Sequence, residues 1–133
     1  MTCAENYSFS IAQSTANRIF ITVSENIVRD ASGNITSKDP IDITASNIYA
    51  SFKRKGQYGG DVLINLSTVN GRIVIEDGPA GRFSMLFWPS DTSSLAVFSL
   101  GYDVLIEIGG NPLETKRPMN GTLTVSRTYT VVP

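Results

Sequence analysis

Between Gly71 and Ile108 the chain repeats an apolar alternation three times, and that pattern constrains the fold more than any other feature. Ile73 and Ile75 alternate with Arg72 and Val74. Phe83, Met85 and Phe87 alternate with Ser84, Leu86 and Trp88. Tyr102, Val104, Ile106 and Ile108 alternate with Asp103, Leu105 and Glu107. A period of two marks strands with one face in a core. Asp77-Gly78-Pro79-Ala80-Gly81 supplies backbone freedom and one fixed φ, so the first two runs are expected to form a hairpin. The expectation is an antiparallel all-β chain.

The flanking segments extend the pattern. Tyr7, Phe9 and Ile11 give a first strand, and Ile19, Ile21 and Val23 a second with Phe20 on its outer face. Arg29 to Asn34 reads as a hairpin tip in which Gly33 or Asn34 suits positive φ, and Lys38-Asp39-Pro40 is expected to close that loop. Asp42 and Thr44 can bond backbone amides two residues on, which predicts a turn or one helical turn. Ile48, Ala50 and Phe52 then point inward against Tyr49, Ser51 and Lys53. Gly56 to Gly60 forms a tip, and Val62, Ile64 and Leu66 face in opposite Leu63 and Asn65. Val69-Asn70-Gly71 is a turn. Pro89 to Leu95 is the best helix, with Pro89 opening it and Ser90 or Asp91 capping it. Leu113 to Val125 returns as a last strand with Gly121 as a bulge. Short strands at this spacing, joined by Gly, Asn and Asp turns, suggest one antiparallel β-sandwich with a short helix near residues 90–95. At 133 residues the chain is one domain's worth. Residues 1–6 and 126–133 are expected to be terminal arms.

The residue inventory bears on function. Histidine is absent and Cys3 is the sole cysteine. The commonest general base, the commonest metal ligand, an internal disulfide and a cysteine-based metal site are thereby removed. Eleven basic residues against twelve acidic give a net charge of −1, without the basic surplus of a nucleic-acid binder. Lys53-Arg54-Lys55 reads as a solvated strand end. The first residues lack the basic-then-apolar pattern of a secretion signal, so synthesis in a reducing cytosol is expected. No apolar run approaches the ~20 residues of a membrane helix.

Paired carboxylates are the remaining route to catalysis. Asp103 and Glu107 lie on one strand about 13 Å apart at ordinary strand rise, too far for a glycosidase pair. Ser90, Ser93 and Ser94 have no base to activate them, and Gly78-Pro79-Ala80-Gly81 lacks a phosphate-loop Lys-Ser/Thr. No enzyme, cofactor or metal is expected. Trp88 is expected to lie as a core edge at the base of the helix. Phe20, Leu63, Leu86 and Leu105 on outer faces, with Tyr49 and Tyr58 beside the Gly-rich tip, are the candidate protein contacts.

One further pattern begins at Pro40-Ile41-Asp42-Ile43-Thr44 and continues through Ile48 to Arg54. It then runs through Gly81-Arg82-Phe83-Ser84-Met85-Leu86 and Pro89 to Leu95, and closes with Gly101 to Ile108 and Gly121 to Val125. Over about two thirds of its length the chain thus resembles the small Ig-like β-sandwich domains of tailed-bacteriophage baseplate and tail-fibre-attachment proteins, such as the N-terminal domain of upper baseplate proteins. Ile43 stands where that family usually has Leu. Tyr102 is the one aromatic before Asp103, and Ser126-Arg127-Thr128-Tyr129-Thr130 replaces a Pro-Glu-Val-Thr exit. The resemblance implies a virion structural protein made in the bacterial cytoplasm, packing in several copies against tail, baseplate or fibre subunits, with no catalytic residues. The alternatives are a carbohydrate-binding β-sandwich using Trp88, Tyr49 or Tyr58 as platform, and a capsid decoration protein.

Overall fold

The computed structural model describes residues 5–54, 62–93, 95 and 99–126, and there the chain is all-β with one short helix. In chain order the strands are β1 (Glu5–Asn6), β2 (Phe9–Ala12), β3 (Asn17–Thr22), β4 (Ser24–Arg29), β5 (Ile35–Pro40), β6 (Asn47–Arg54), β7 (Ile64–Ser67), β8 (Ile73–Asp77) and β9 (Arg82–Phe87). The helix α1 (Pro89–Thr92), β10 (Ser99–Glu107), a 3-10 turn at Ile108–Gly110 and β11 (Thr115–Ser126) complete the series. One sheet runs β1-β11-β10-β6-β7, with β2 also on β11. A second runs β3-β9-β8, and β4 pairs with β5 in a separate ribbon.

The alternation read from the sequence sets the inward faces. In β6 and β10 the residues Ile48, Ala50, Phe52, Tyr102, Val104 and Ile106 are buried, and they stand opposite one another as Phe52–Tyr102, Ala50–Val104 and Ile48–Ile106. From the second sheet, Phe83, Met85 and Phe87 enter the same buried cluster. The Phe52 ring stacks on Tyr102 at 5.1 Å and meets Phe87 edge-on at 5.5 Å, so aromatic contact joins the two sheets. The β8–β9 hairpin forms as expected around Gly78 to Gly81. Gly81 has φ +72, and a Cβ there would lie 2.6 Å from the Val23 carbonyl oxygen, so glycine is required. The expected turn at Asp42 also forms: its carboxylate accepts the Thr44 amide at 2.9 Å and the Thr44 hydroxyl at 2.6 Å. Those two bonds favour the charged form and hold the Asp42 carboxyl below its ordinary value.

Several expectations are corrected. The sheets are not purely antiparallel, because β1 and β2 pair parallel to β11. Alternation reports which face a side chain takes, and the same period two serves either strand direction. The long crossover that parallel pairing needs is here nearly the whole intervening chain. Residues 35–40 form β5 instead of a closing loop, although all six are exposed. Val62 is 46% exposed and precedes β7 instead of filling the core. The helix spans one turn, and Trp88, not Ser90 or Asp91, occupies its N-cap position. Asp91 acts from the third helical residue, its carboxylate accepting the Trp88 N–H at 2.6 Å. Glu5 and Asn6 lie in the sheet opposite Met119 and Asn120, so the N-terminal arm does not extend to residue 6. Ser126 likewise belongs to β11, and residues 1–4 and 127–133 lie outside the described residues. At Gly121 the β10–β11 ladder is regular, and its shift falls between Val104 and Ile106. The departure opposite Gly121 is in the N-terminal strand, where Tyr7 and Ser8 separate β1 from β2.

Candidate interaction surface

With both inward faces committed to one core, the outward faces and the ribbon are what the fold offers a partner. On the three-stranded sheet the residues between the buried ones project outward: Arg18 and Phe20 from β3, Val74 and Glu76 from β8, Ser84 and Leu86 from β9. Phe20 is 50% exposed and Val74 39%. The Arg82 guanidinium sits 5.3 Å from the Phe20 ring centre, within cation–π range. Ser84 is fully buried beneath these neighbours, and its hydroxyl donates to Glu76 Oε1 at 2.7 Å. Arg18 approaches the same carboxylate oxygen at 3.8 Å.

Trp88 continues this outward row. It is 54% exposed, which corrects its expected place at the edge of the core. The reason is parity: Met85 and Phe87 point in, so Trp88 points out with Ser84 and Leu86. Beneath it lies Arg72, whose guanidinium is 4.0 Å from the ring centre. Arg72 Nε donates to the Leu86 carbonyl at 3.2 Å, and its Nη2 bonds the Asp91 carboxylate. Two exposed aromatic rings, each backed by an arginine, make a surface of the residue types that dominate protein–protein contacts.

The six-stranded sheet presents a polar outer face. Tyr49 and Leu105 are cross-strand neighbours there and are half-buried. The Tyr49 hydroxyl donates to Glu107 Oε1 at 2.8 Å; that bond to the carboxylate keeps its proton on and raises its pKa. Asp103 pairs with Arg117 at 2.5 Å. Both carboxylates of the rejected catalytic pair are therefore engaged in ordinary surface contacts.

The residues read as one contact set thus divide. Phe20 and Leu86 share one sheet, with Leu86 half-buried; Tyr49 and Leu105 share the other; Leu63, 40% exposed, leads into the edge strand β7. Tyr58 lies outside the described residues. The structure adds Trp88, which counting in twos from Met85 places outside. It also adds the β4–β5 ribbon, in which every residue from Val28 to Pro40 is exposed, including Val28 at 52% and Ile35 at 39%. Its tip is built by Asp30, whose Oδ1 accepts the Ser32 amide at 2.9 Å and the Asn34 amide at 3.0 Å.

A dimple of about 100 Å³ lies between Tyr7, Phe20, Ile21, Thr22 and Met119, well below the ~300 Å³ at which small-molecule sites begin. Among the described residues no three His, Cys, Asp or Glu side chains cluster to hold a metal, and no helix is long and apolar enough to cross a membrane. No protein-family model matches the chain, and no curated protein matches it in sequence.

Proposed function

We propose that this chain is a non-enzymatic structural module, a single Ig-like β-sandwich packing in several copies within the tail, baseplate or fibre connection of a tailed bacteriophage. The observation that carries the assembly role is the ribbon. An isolated two-stranded hairpin is marginal in water, yet β4 and β5 project with thirteen consecutive exposed residues, Val28 to Pro40. Val28 and Ile35 leave 52% and 39% of their surface uncovered on their own molecule, apolar area that a neighbour can bury. The outward row of Phe20, Leu86 and Trp88 offers a second adhesive surface on the same molecule. Sheet order supports the Ig-like reading, since β3-β9-β8 and β11-β10-β6-β7 contribute facing side chains to one core. The virion setting rests on the motif resemblance, from Pro40-Ile41-Asp42-Ile43-Thr44 to Gly121-Thr122-Leu123-Thr124-Val125.

Light scattering on the purified chain is expected to show discrete oligomers, and antibody against the chain is expected to decorate the tail end of particles made by the phage that carries it. Labelling over the head would instead make it a capsid decoration protein. A strict monomer that labels no particle refutes the reading. One observation favours a second reading, a carbohydrate-binding module: Trp88 keeps more than half its surface open while Arg72 supports its ring. That reading requires the fluorescence of this lone tryptophan to shift on glycan addition, and an unchanged spectrum across a glycan panel eliminates it.

A further inference from the structure

The N-terminal strand is an edge element with core anchors and a strained connection. Among the described residues β1 and β2 pair with one strand, β11, through the register Glu5–Met119, Asn6–Asn120 and Phe9–Leu123 to Ala12–Ser126. Ile11 is 3% exposed. The Phe9 ring lies 5.6 Å from Tyr102 and 6.0 Å from Phe87. The slot beside β11 therefore has to be filled by these side chains, or the aromatic core opens. The connection to β3 is four residues long, Gln13 to Ala16, and carries the chain from one sheet to the other. Within it Ser14 has φ 58, the left-handed region that costs a residue with a Cβ roughly 1 kcal/mol. The bend is held closed by Thr92: its hydroxyl oxygen accepts the Ser14 amide at 2.8 Å, and its carbonyl accepts from Gln13 Nε2 at 3.2 Å.

A short strained hinge joined to an edge strand favours exchange of that strand between identical chains. We infer that two copies of this chain swap their N-terminal strands. Residues 5–12 of each copy lie along β11 of the other, with the same register and the same Phe9 and Ile11 contacts, and the hinge at Gln13–Ala16 is extended. Every contact of the closed form except the hinge bend is regained, and the left-handed Ser14 is released. No outside ligand is required. This inference names the partner, a second copy, for the multi-copy packing proposed above and rests on that reading.

The test uses Ser10 and Thr124, exposed register partners across β2 and β11. In a Cys3→Ser background, Ser10→Cys and Thr124→Cys are joined by a short bis-maleimide, and the product is resolved on a denaturing gel. Exchange predicts covalent dimers from the dimer fraction, because the two cysteines that meet belong to different chains. Ser14→Gly removes the left-handed penalty of the closed hinge. It is expected to weaken the dimer by roughly thirtyfold, since the penalty is relieved at each of two hinges per dimer and each 1.4 kcal/mol is a factor of ten. Ser14→Pro locks φ near −65° and deletes the amide bond to Thr92, so it is expected to shift the population to the dimer. Intrachain cross-links in an oligomeric sample overturn the exchange and leave multi-copy packing standing. An unchanged dimer fraction in Ser14→Gly overturns it as well. Interchain cross-links in a chain that labels no virion sustain the exchange and overturn the setting.

Discussion

Arg72→Met is the substitution that most directly probes how α1 is held to the second sheet. The Arg72 and Asp91 side chains are 11% and 14% exposed, so their ion pair sits largely out of water. Methionine keeps most of the aliphatic length but removes the bond to Asp91, the bond to the Leu86 carbonyl and the cation under Trp88. Breaking a buried pair from one side costs ~3–5 kcal/mol. Asp91 retains its bond from the Trp88 amide, which places the loss near the low end, and the lost stacking adds ~0.5–1 kcal/mol. A destabilisation of about 3–4 kcal/mol is expected. With an unfolding entropy of ~2.1 cal/mol/K per residue over 133 residues, the midpoint temperature falls by roughly 12 °C. Urea and thermal unfolding followed by Trp88 fluorescence and by far-ultraviolet circular dichroism measure it. The Arg72→Met/Asp91→Asn double variant is expected to lose less than the sum of the singles, because neither leaves a stranded partner. A loss below ~1 kcal/mol, or one that disappears in high salt, refutes the reasoning and returns the pair to the class of exposed surface bridges.

Three further outcomes are expected. Burial, and secondly the neighbouring Tyr7, raise the pKa of Tyr102 above its ordinary 10.0; the unfolded chain then releases this proton first, so the stability it contributes is complete below pH 10 and falls as pH rises beyond it. Urea midpoints taken across that range are expected to decline less steeply in Tyr102→Phe, and parallel slopes would sink the assignment. Gly121→Ala places a Cβ 1.9 Å from the Tyr7 carbonyl oxygen, so hydrogen exchange is expected to show lost protection at Tyr7, whose amide bonds the Asn120 carbonyl, while β6 and β10 stay protected; an unchanged pattern counts against the close approach. Val28→Ser with Ile35→Ser is expected to shift stability by no more than ~0.5 kcal/mol per site, as at other solvated positions, while lowering the oligomer fraction in light scattering. A large loss of stability would mean that the ribbon packs on its own body.

Fold and surface were legible to different degrees, for a physical reason. Ile48-Ala50-Phe52, Phe83-Met85-Phe87 and Tyr102-Val104-Ile106 each serve a core that is dry on one side, and a dry side selects apolar residues in step with the pleat. Those runs could be read without coordinates, and so could the turns at Asp42, Asn70 and Gly81, where backbone geometry selects the residue. Strand direction could not be read: Tyr7-Phe9-Ile11 alternates identically whether it runs with β11 or against it. Surface residues were harder. Phe20 was visible because it is apolar and out of step with its buried neighbours. Trp88 was missed because its size argued for burial, although parity from Met85 and Phe87 argued against it, and parity was the stronger guide.

The ribbon was least legible because no core writes a pattern into it. Ile35-Thr36-Ser37-Lys38-Asp39-Pro40 has both faces in water, so neither face selects apolar residues and the segment reads as loop. Local devices keep it extended instead. Asp30 closes the tip through two backbone amides, Arg29 Nη1 donates to the Gly33 carbonyl at 3.0 Å, and the Thr36 hydroxyl donates to the Val28 carbonyl at 3.2 Å. At its base the ribbon is tied to the second sheet through the Ile41 amide on the Val23 carbonyl at 3.1 Å and the Val23 amide on the Gly81 carbonyl at 2.9 Å. Lys116 adds an ion pair to Glu25 at 2.5 Å. A ribbon ordered by its own turn and its base would reach the proposed neighbour already shaped, so less ordering entropy would oppose the contact. Lys38 and Pro40 on β5 discourage open-ended strand addition. In the proposed packing a neighbour meets the side-chain faces with Val28 and Ile35, and contacts made that way would have a fixed geometry that closes into a defined assembly instead of growing into a fibre.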